Sequence, residues 1–261
     1  MLTDTPHTGP LIIGHRGASR DAPENTLESF RLAWDQGADG IEADFRLTAD
    51  GRIVCMHDET ATRTTGVALK IADTTCAELR HLDAGFWKAP KWSGAIIPTL
   101  DEVLAALPGG SWFFIEIKSG AEIIAPLEKV LRDSGVSPEQ IRILGFSADL
   151  ITEIKQRLPD WRACWLCDYR HTAADDLWRP SREQVLETLR RSGADGLASD
   201  DSPFLDPDLA EALQKRGSEL HVWTVDRPTA ARRLSALGAD SIMTNRPGWL
   251  RHALASRGEQ L

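Results

Sequence analysis

The stretch Gln36-Gly37-Ala38-Asp39-Gly40-Ile41-Glu42-Ala43-Asp44 is echoed twice further along this chain. The echoes are Ser192-Gly193-Ala194-Asp195-Gly196-Leu197-Ala198-Ser199-Asp200 and Leu237-Gly238-Ala239-Asp240-Ser241-Ile242-Met243-Thr244-Asn245. Each copy follows a segment of helical character. A glycine just past a helix allows the left-handed residue that ends it. A short strand-like run follows and closes on Asp, Asp or Asn. The unit is a helix-to-strand junction, and its recurrence predicts alternating strands and helices.

Working outward, the pattern predicts eight strands, at 11–14, 39–45, 112–117, 141–146, 162–166, 195–199, 219–224 and 241–244. Helices are expected near 26–36, 100–107, 121–134, 148–157, 181–192, 207–216, 228–236 and 247–256. In the first helix Leu27, Phe30 and Trp34 share an apolar face. Asn25 is read as its cap, Glu28 as the capping-box partner and Gly37 as its stop. Eight such alternations predict an α/β fold, a (β/α)8 TIM barrel with a small insertion after strand 2. The 261 residues fit one barrel of roughly 250 residues. We therefore expect 1–261 to be a single domain, with 58–97 inserted into it. The three junctions precede strands 2, 6 and 8, so Asp44, Asp200 and Asn245 are expected at similar height near the C-terminal mouth. Between strand 2 and the insertion, Thr48-Ala49-Asp50-Gly51 reads as a turn and Arg52–His57 as a returning hairpin arm.

Composition narrows the class. Hydrophobic residues make up 42% and the net charge is -9. An acidic chain is a poor match for duplex nucleic acid, whose phosphates need a basic face. No apolar run reaches the ~18 residues of a membrane span, so no stable membrane association is expected. Met1–His7 has neither the basic nor the apolar region of a secretory signal. Cys164-Trp165-Leu166-Cys167 has redox-motif spacing, but it lies in an apolar strand-like run and no second pair completes a zinc site. Four reduced thiols, Cys55, Cys76, Cys164 and Cys167, point to a cytoplasmic protein.

Chemistry gathers at strand ends. Glu42 and Asp44 are two apart on one strand and share a face, as do Glu116 and Lys118 on the next barrel strand. Three carboxylates converging on one mouth repel unless a cation sits among them. All-oxygen ligation suits one hard divalent ion, Mg2+ or Ca2+, rather than zinc. Lys118 beside that ion is suited to phosphate oxygens. His15 closes the first strand and His57 closes the hairpin arm; imidazoles there can give and take protons. Arg16 can grip phosphate in a bidentate way, or pair with one of the acids. Trp223 is either core filling or an apolar wall over the substrate. Glu24 either binds substrate hydroxyls or favours the helix N-terminus.

Taken together, His15-Arg16-Gly17, Ala22-Pro23-Glu24-Asn25-Thr26, Glu42-Ala43-Asp44, His57-Asp58, Arg63-Thr64-Thr65-Gly66, Ile97-Pro98-Thr99-Leu100, Glu116-Ile117-Lys118 and Trp223-Thr224-Val225 resemble the glycerophosphodiester phosphodiesterases. The resemblance runs from about 11 to 248. It implies a TIM barrel that hydrolyses small-molecule glycerophosphodiesters to glycerol 3-phosphate and an alcohol. It implies metal ligation by Glu42, Asp44 and Glu116, acid/base roles for His15 and His57, and phosphate binding by Arg16 and Lys118. The short form is similar to the cytosolic bacterial enzymes. Asp226 stands where the family often has Asn after Trp-Thr-Val. Water or the substrate's own 2-hydroxyl could be the nucleophile. Rival readings are a phospholipase D-like activity, favoured by an apolar patch near Phe86, Trp87 and Trp92, a non-catalytic barrel, and an unrelated Mg2+-dependent lyase or isomerase. The alcohol and the oligomeric state are open.

Overall fold

Residues 9–172 and 177–255 are described by a computed structural model. The N-terminal stretch 1–8, read above for a signal, lies outside the described residues. So do residues 173–176 and 256–261, which include the last position of the final expected helix.

The strands are β1 (Leu11–His15), β2 (Gly40–Leu47), β3 (Ile53–Cys55), β4 (Trp112–Ile117), β5 (Ile141–Gly145), β6 (Arg162–Cys167), β7 (Arg170–Thr172), β8 (Leu177–Arg179), β9 (Gly196–Asp200), β10 (Glu219–Trp223) and β11 (Ser241–Thr244). The helices are α1 (Leu27–Asp35), α2 (Thr62–Thr65), α3 (Cys76–Leu79), α4 (Leu100–Ala106), α5 (Ile124–Ser134), α6 (Ala148–Arg157), α7 (Arg182–Ser192), α8 (Pro207–Arg216), α9 (Pro228–Ala236) and α10 (Pro247–Ala255). Eight parallel strands run β1-β2-β4-β5-β6-β9-β10-β11, and β11 pairs back onto β1. The sheet therefore closes into the expected TIM barrel.

Short strand β3 pairs antiparallel with the end of β2, Phe45 opposite Cys55, so the returning arm is where the turn signal placed it. Gly51 holds the turn at φ +73°. Beyond it, Val54, Met56, Ala61, Ile71, Cys76, Leu79, Ala84 and Ile97 form a small apolar core beneath the insertion. The main core lies between the strands and the helices, with Phe45 and Phe113 meeting edge to face at 5.9 Å. Burying side chains of this size contributes about 1.5–3 kcal/mol each. Inside the barrel, Ile13, Phe114, Leu144, Cys164, Leu166, Ala198 and Met243 fill the space. Cys164 thus faces inward while Cys167 belongs to the outer core. All four cysteines are free and buried.

The floor of the barrel is polar. Glu219 at the start of β10 accepts hydrogen bonds from Arg142 Nε (2.7 Å), Arg142 Nη2 (2.8 Å) and Arg162 Nη1 (3.0 Å). His221 Nε2 lies 3.2 Å from the same carboxylate, and Arg142 stacks on Trp112 at 4.7 Å. Cys164, Glu219 and His221 are close enough to hold an ion, but the two arginines already neutralise Glu219.

The capping of α1 differs from expectation by one residue. Thr26, not Asn25, caps the helix, and Ser29, not Glu28, completes the capping box. Asn25 sits in the left-handed region at φ 59° with its amide turned onto Asp44, so it is unavailable to the helix. Gly37 ends the helix at φ +82°, as expected. Strands β7 and β8 pair antiparallel in a segment where no strand was predicted.

Candidate active site

The chemistry-bearing residues named from the sequence lie at the C-terminal ends of strands or in the loops just beyond, save Glu42 and Asp44, which sit within β2. His15 ends β1 opposite Glu42, and Asp44 is in register with Glu116 on β4. One carboxylate oxygen from each of Glu42, Asp44 and Glu116 falls within 4.8 Å of the others. The three are 1%, 0% and 8% exposed. Burial, then the charges of Asp44 and Glu116, push the Glu42 carboxyl well above the usual range. Burial and then Asp44 raise Glu116 to about 7. Burial also acts against Asp44, but Arg16 and Lys118 overcome it and hold that carboxyl at about 2.

Arg16 is placed by an unusual backbone, φ 55°. Its N–H donates to Glu42 Oε2 at 2.9 Å, and its guanidinium reaches Asp44 Oδ2 (3.1 Å) and Glu24 Oε1 (2.9 Å). Lys118 lies 3.2 Å from Asp44 Oδ1 and also contacts Glu116 Oε1. Arg16 is therefore an ion-pair partner, and it also lines a cavity at the mouth. Glu24 is held by Arg16 and by two nitrogens of Arg63 at 2.8 Å. It lines the same cavity, of about 540 Å³, with His15, Trp87, Lys88 and Asp226.

His15 Nδ1 lies 2.8 Å from Asn245 Oδ1, and its Nε2 lies 3.9 Å from Glu42 Oε2. Burial, reinforced by Arg16, lowers its pKa to about 4. His57 Nδ1 lies 2.7 Å from Asp58 Oδ1, and Arg63 holds Asp58 in turn at 2.7 Å. Those Arg63 bonds are the main reason the Asp58 carboxyl is near 2. Burial lowers the His57 pKa against the pull of Asp44 and Asp58.

Trp223 ends β10, half-buried, its Nε1 donating to Ala198 O at 3.3 Å. It meets Phe146 edge to face at 5.8 Å, and Lys118 lies over the Phe146 ring at 5.6 Å. The indole is thus part of an aromatic rim beside the basic groups. Asp200 ends β9 opposite Trp223, and burial with Asp168 and Asp201 raises its carboxyl to about 6. Among the described residues, no hydrogen bond or ion pair joins it to Glu42, Asp44 or Glu116. Several participants were given no site role from the sequence. Asn25 donates to Asp44 Oδ2 at 2.8 Å and accepts from the Asp44 N–H at 3.2 Å. Arg46 ties His57 O (2.8 Å) to Lys118 O (3.1 Å). Asp58 and Arg63 lay inside quoted motifs but carried no assigned role; the adjacency of Asp58 to His57 was the usable signal.

Three carboxylates, two histidines and two cations at a barrel mouth are the chemistry of phosphoester cleavage. A sequence model described as the glycerophosphoryl diester phosphodiesterase family matches residues 15–249. The chain belongs to that family. As a glycerophosphodiester phosphodiesterase family member it is a phosphoric diester hydrolase. It is 34% identical to the glycerophosphodiester phosphodiesterase of Caldanaerobacter subterraneus subsp. tengcongensis, over 91% of this chain and 94% of that protein. It is 32% identical to the Bacillus subtilis glycerophosphodiester phosphodiesterase, over 91% of this chain and 84% of the relative. A phosphodiesterase from Oleispira antarctica, solved with the product sn-glycerol-3-phosphate, superposes with a TM-score of 0.83 at 28% identity, covering 95% of this chain and 98% of the other. Among the described residues, no helix of this family member is long and apolar enough to cross a membrane.

Proposed function

We propose that this phosphodiesterase hydrolyses glycerophosphodiesters to glycerol 3-phosphate and an alcohol, with Glu42, Asp44 and Glu116 holding one divalent cation, Mg2+ or Ca2+, and His15 and His57 moving the protons. The single observation that carries the reading is the buried acidic trio flanked by both imidazoles. Glu42 Oε1 is buried with no hydrogen-bond partner. Two of the three carboxyls are raised by burial and mutual repulsion. Such a donor set fits a hard cation with oxygen ligands. When bound, the ion supplies positive charge beside the phosphate.

The chain's own residues do the rest. Arg16 and Lys118 neutralise and orient the phosphate. His15, whose Nε2 lies on the side of Glu42, is assigned the base that takes the nucleophile's proton. His57 is assigned the acid that protonates the leaving alcohol; against the burial that lowers its pKa, Asp44 and Asp58 favour its imidazolium. The nucleophile is water or the glycerol 2-hydroxyl; failure to find solvent 18O in the first-formed product selects the second. Glu24 and Trp223 contribute to the substrate's surroundings. In this reading the chain acts as one domain on a small molecule, with 58–97 as an inserted subdomain. Four free buried cysteines fit a cytoplasmic setting.

One observation favours a second substrate class. Phe86 is 61% and Trp87 39% exposed, and Trp87 shares a cavity wall with His15. A lysophospholipid's apolar part could rest there. The test is release of glycerol 3-phosphate from glycerophosphocholine and glycerophosphoethanolamine with Mg2+, with Ca2+ and with EDTA, beside Glu42→Ala. Release restored by one ion and absent in the variant establishes the reaction and selects the ion. No release from folded protein, with turnover of lysophospholipid instead, moves the assignment to lipid diesters.

A further inference from the structure

We propose that Asp226 is a positioning residue, which decides through Asn245 which nitrogen of His15 presents a lone pair to the acidic trio. The proposal rests on the reading of His15 as proton acceptor.

Asp226 lies in the loop after β10 and its carboxylate is saturated from one side. Its Oδ1 accepts from Thr244 Oγ1 at 2.8 Å and from the Asn245 N–H at 2.9 Å; its Oδ2 accepts from Asn245 Nδ2 at 2.7 Å. A carboxylate can only accept, so the nitrogen of the Asn245 amide must face Asp226 and its oxygen must face away. That oxygen lies 2.8 Å from His15 Nδ1 and 2.8 Å from Ser19 Oγ. An amide oxygen also can only accept, so His15 Nδ1 carries the proton. In the neutral ring, Nε2 is then left bare. Nε2 is the nitrogen on the side of Glu42, 3.9 Å from Oε2. A charge that never touches His15 thus fixes its tautomer.

Exchanging the carboxylate for an amide, Asp226→Asn, has a specific consequence. The new amide oxygen keeps the bonds from Thr244 and the Asn245 N–H, so its nitrogen faces the Asn245 side chain. Two facing NH2 groups are relieved by turning the Asn245 amide over. Its nitrogen then donates to His15 Nδ1, and the His15 proton moves to Nε2. Adding Asn245→Asp removes the conflict. The carboxylate introduced at 245 accepts both from the amide introduced at 226 and from the His15 Nδ1–H.

The test reads the tautomer directly. Long-range 1H–15N correlation on 15N-labelled protein at pH 8 distinguishes a protonated from a bare ring nitrogen, with His15 assigned by loss of its signals in His15→Gln. Wild type should show protonated Nδ1 and bare Nε2. Asp226→Asn should exchange them and lower kcat at least roughly 100-fold, the scale of one acid/base group, with KM within about threefold. The double variant Asp226→Asn with Asn245→Asp should restore the tautomer and bring kcat back to within about tenfold. A wild-type Nε2–H tautomer, or an Asp226→Asn protein that keeps both its tautomer and its kcat, overturns the proposal. The expected tautomer exchange, in a protein whose wild type cleaves no glycerophosphodiester, upholds the positioning and overturns the reaction reading instead.

Discussion

Asn25 holds a left-handed backbone at φ 59° and uses both ends of its amide on Asp44, while also accepting from Cys55 Sγ at 3.2 Å. A backbone in this region costs of order 1–3 kcal/mol and persists where the surroundings require it. What it secures is a fixed orientation for one carboxylate of the proposed cation site. Partners behind a metal ligand typically change affinity about 10- to 100-fold when removed. Asn25→Ala is therefore expected to weaken Mg2+ or Ca2+ binding by roughly 10- to 100-fold in titration calorimetry, with the folded state retained. Unchanged affinity would remove Asn25 from the site's support. The sequence could show Glu42, Asp44, Glu116 and Lys118 because charge at a strand end has no packing purpose. It could not show Asn25, because Asn before a helix is equally the mark of a cap. Thr26 takes that role one residue later, and only the fold reveals which of the two is free.

At the scale of elements, the turn from β1 into α1 depends on one missing side chain. Gly17 has φ +80°, and a Cβ there would stand 2.5 Å from the Ser29 carbonyl carbon and Oγ. Gly51 is also left-handed, at φ +73°, but a Cβ there meets nothing within 4 Å. The two therefore separate backbone strain from collision. Gly51→Ala should cost about 1 kcal/mol, the left-handed penalty alone. Gly17→Ala should cost more than about 2 kcal/mol, because α1 must also move off β1 and carry Asn25 and Arg16 with it. Thermal melts of the pair check this; equal Tm values would contradict it. The repeated junctions were readable because Gly37, Gly193 and Gly238 all adopt the left-handed turn that their position required. Strands β7 and β8 were not readable, since three residues each give no alternation to detect. The insertion's core is likewise built from scattered small and apolar residues without a period.

Over the whole molecule, the charges at the barrel floor tie strands β5, β6 and β10 together. Burial works against the Glu219 carboxylate, but hydrogen bonds from His221 and Arg142 hold it at about 2, below its ordinary 4.5. A carboxylate lowered on folding contributes stability that is complete above its unfolded pKa and lost as pH falls through the folded one. The window is thus about pH 4.5 down to about 2. Wild type should lose stability across that window, and Glu219→Gln, already weakened at neutral pH by leaving Arg142 unpaired, should lose less. Denaturant titrations at about pH 7, 4 and 2.5, spanning that window, check the sign; a difference that widens on acidification would be incompatible with it. The eightfold alternation made the barrel itself legible, since the period of strand and helix survives any local error in boundaries. The floor was not legible, because Arg142, Arg162 and Glu219 are far apart in sequence and each alone looks like surface charge.

That floor also governs traffic. Among the described residues, Arg142, Arg162, Glu219 and His221 fill one end and apolar side chains the middle, which leaves the C-terminal mouth as the doorway. In the proposed reaction the incoming diester and both outgoing fragments must use it in turn. If, as proposed, Arg16 and Lys118 hold the phosphate, the glycerol 3-phosphate half keeps that mouth occupied until it leaves. Each turnover then ends with an exit that also blocks the next arrival.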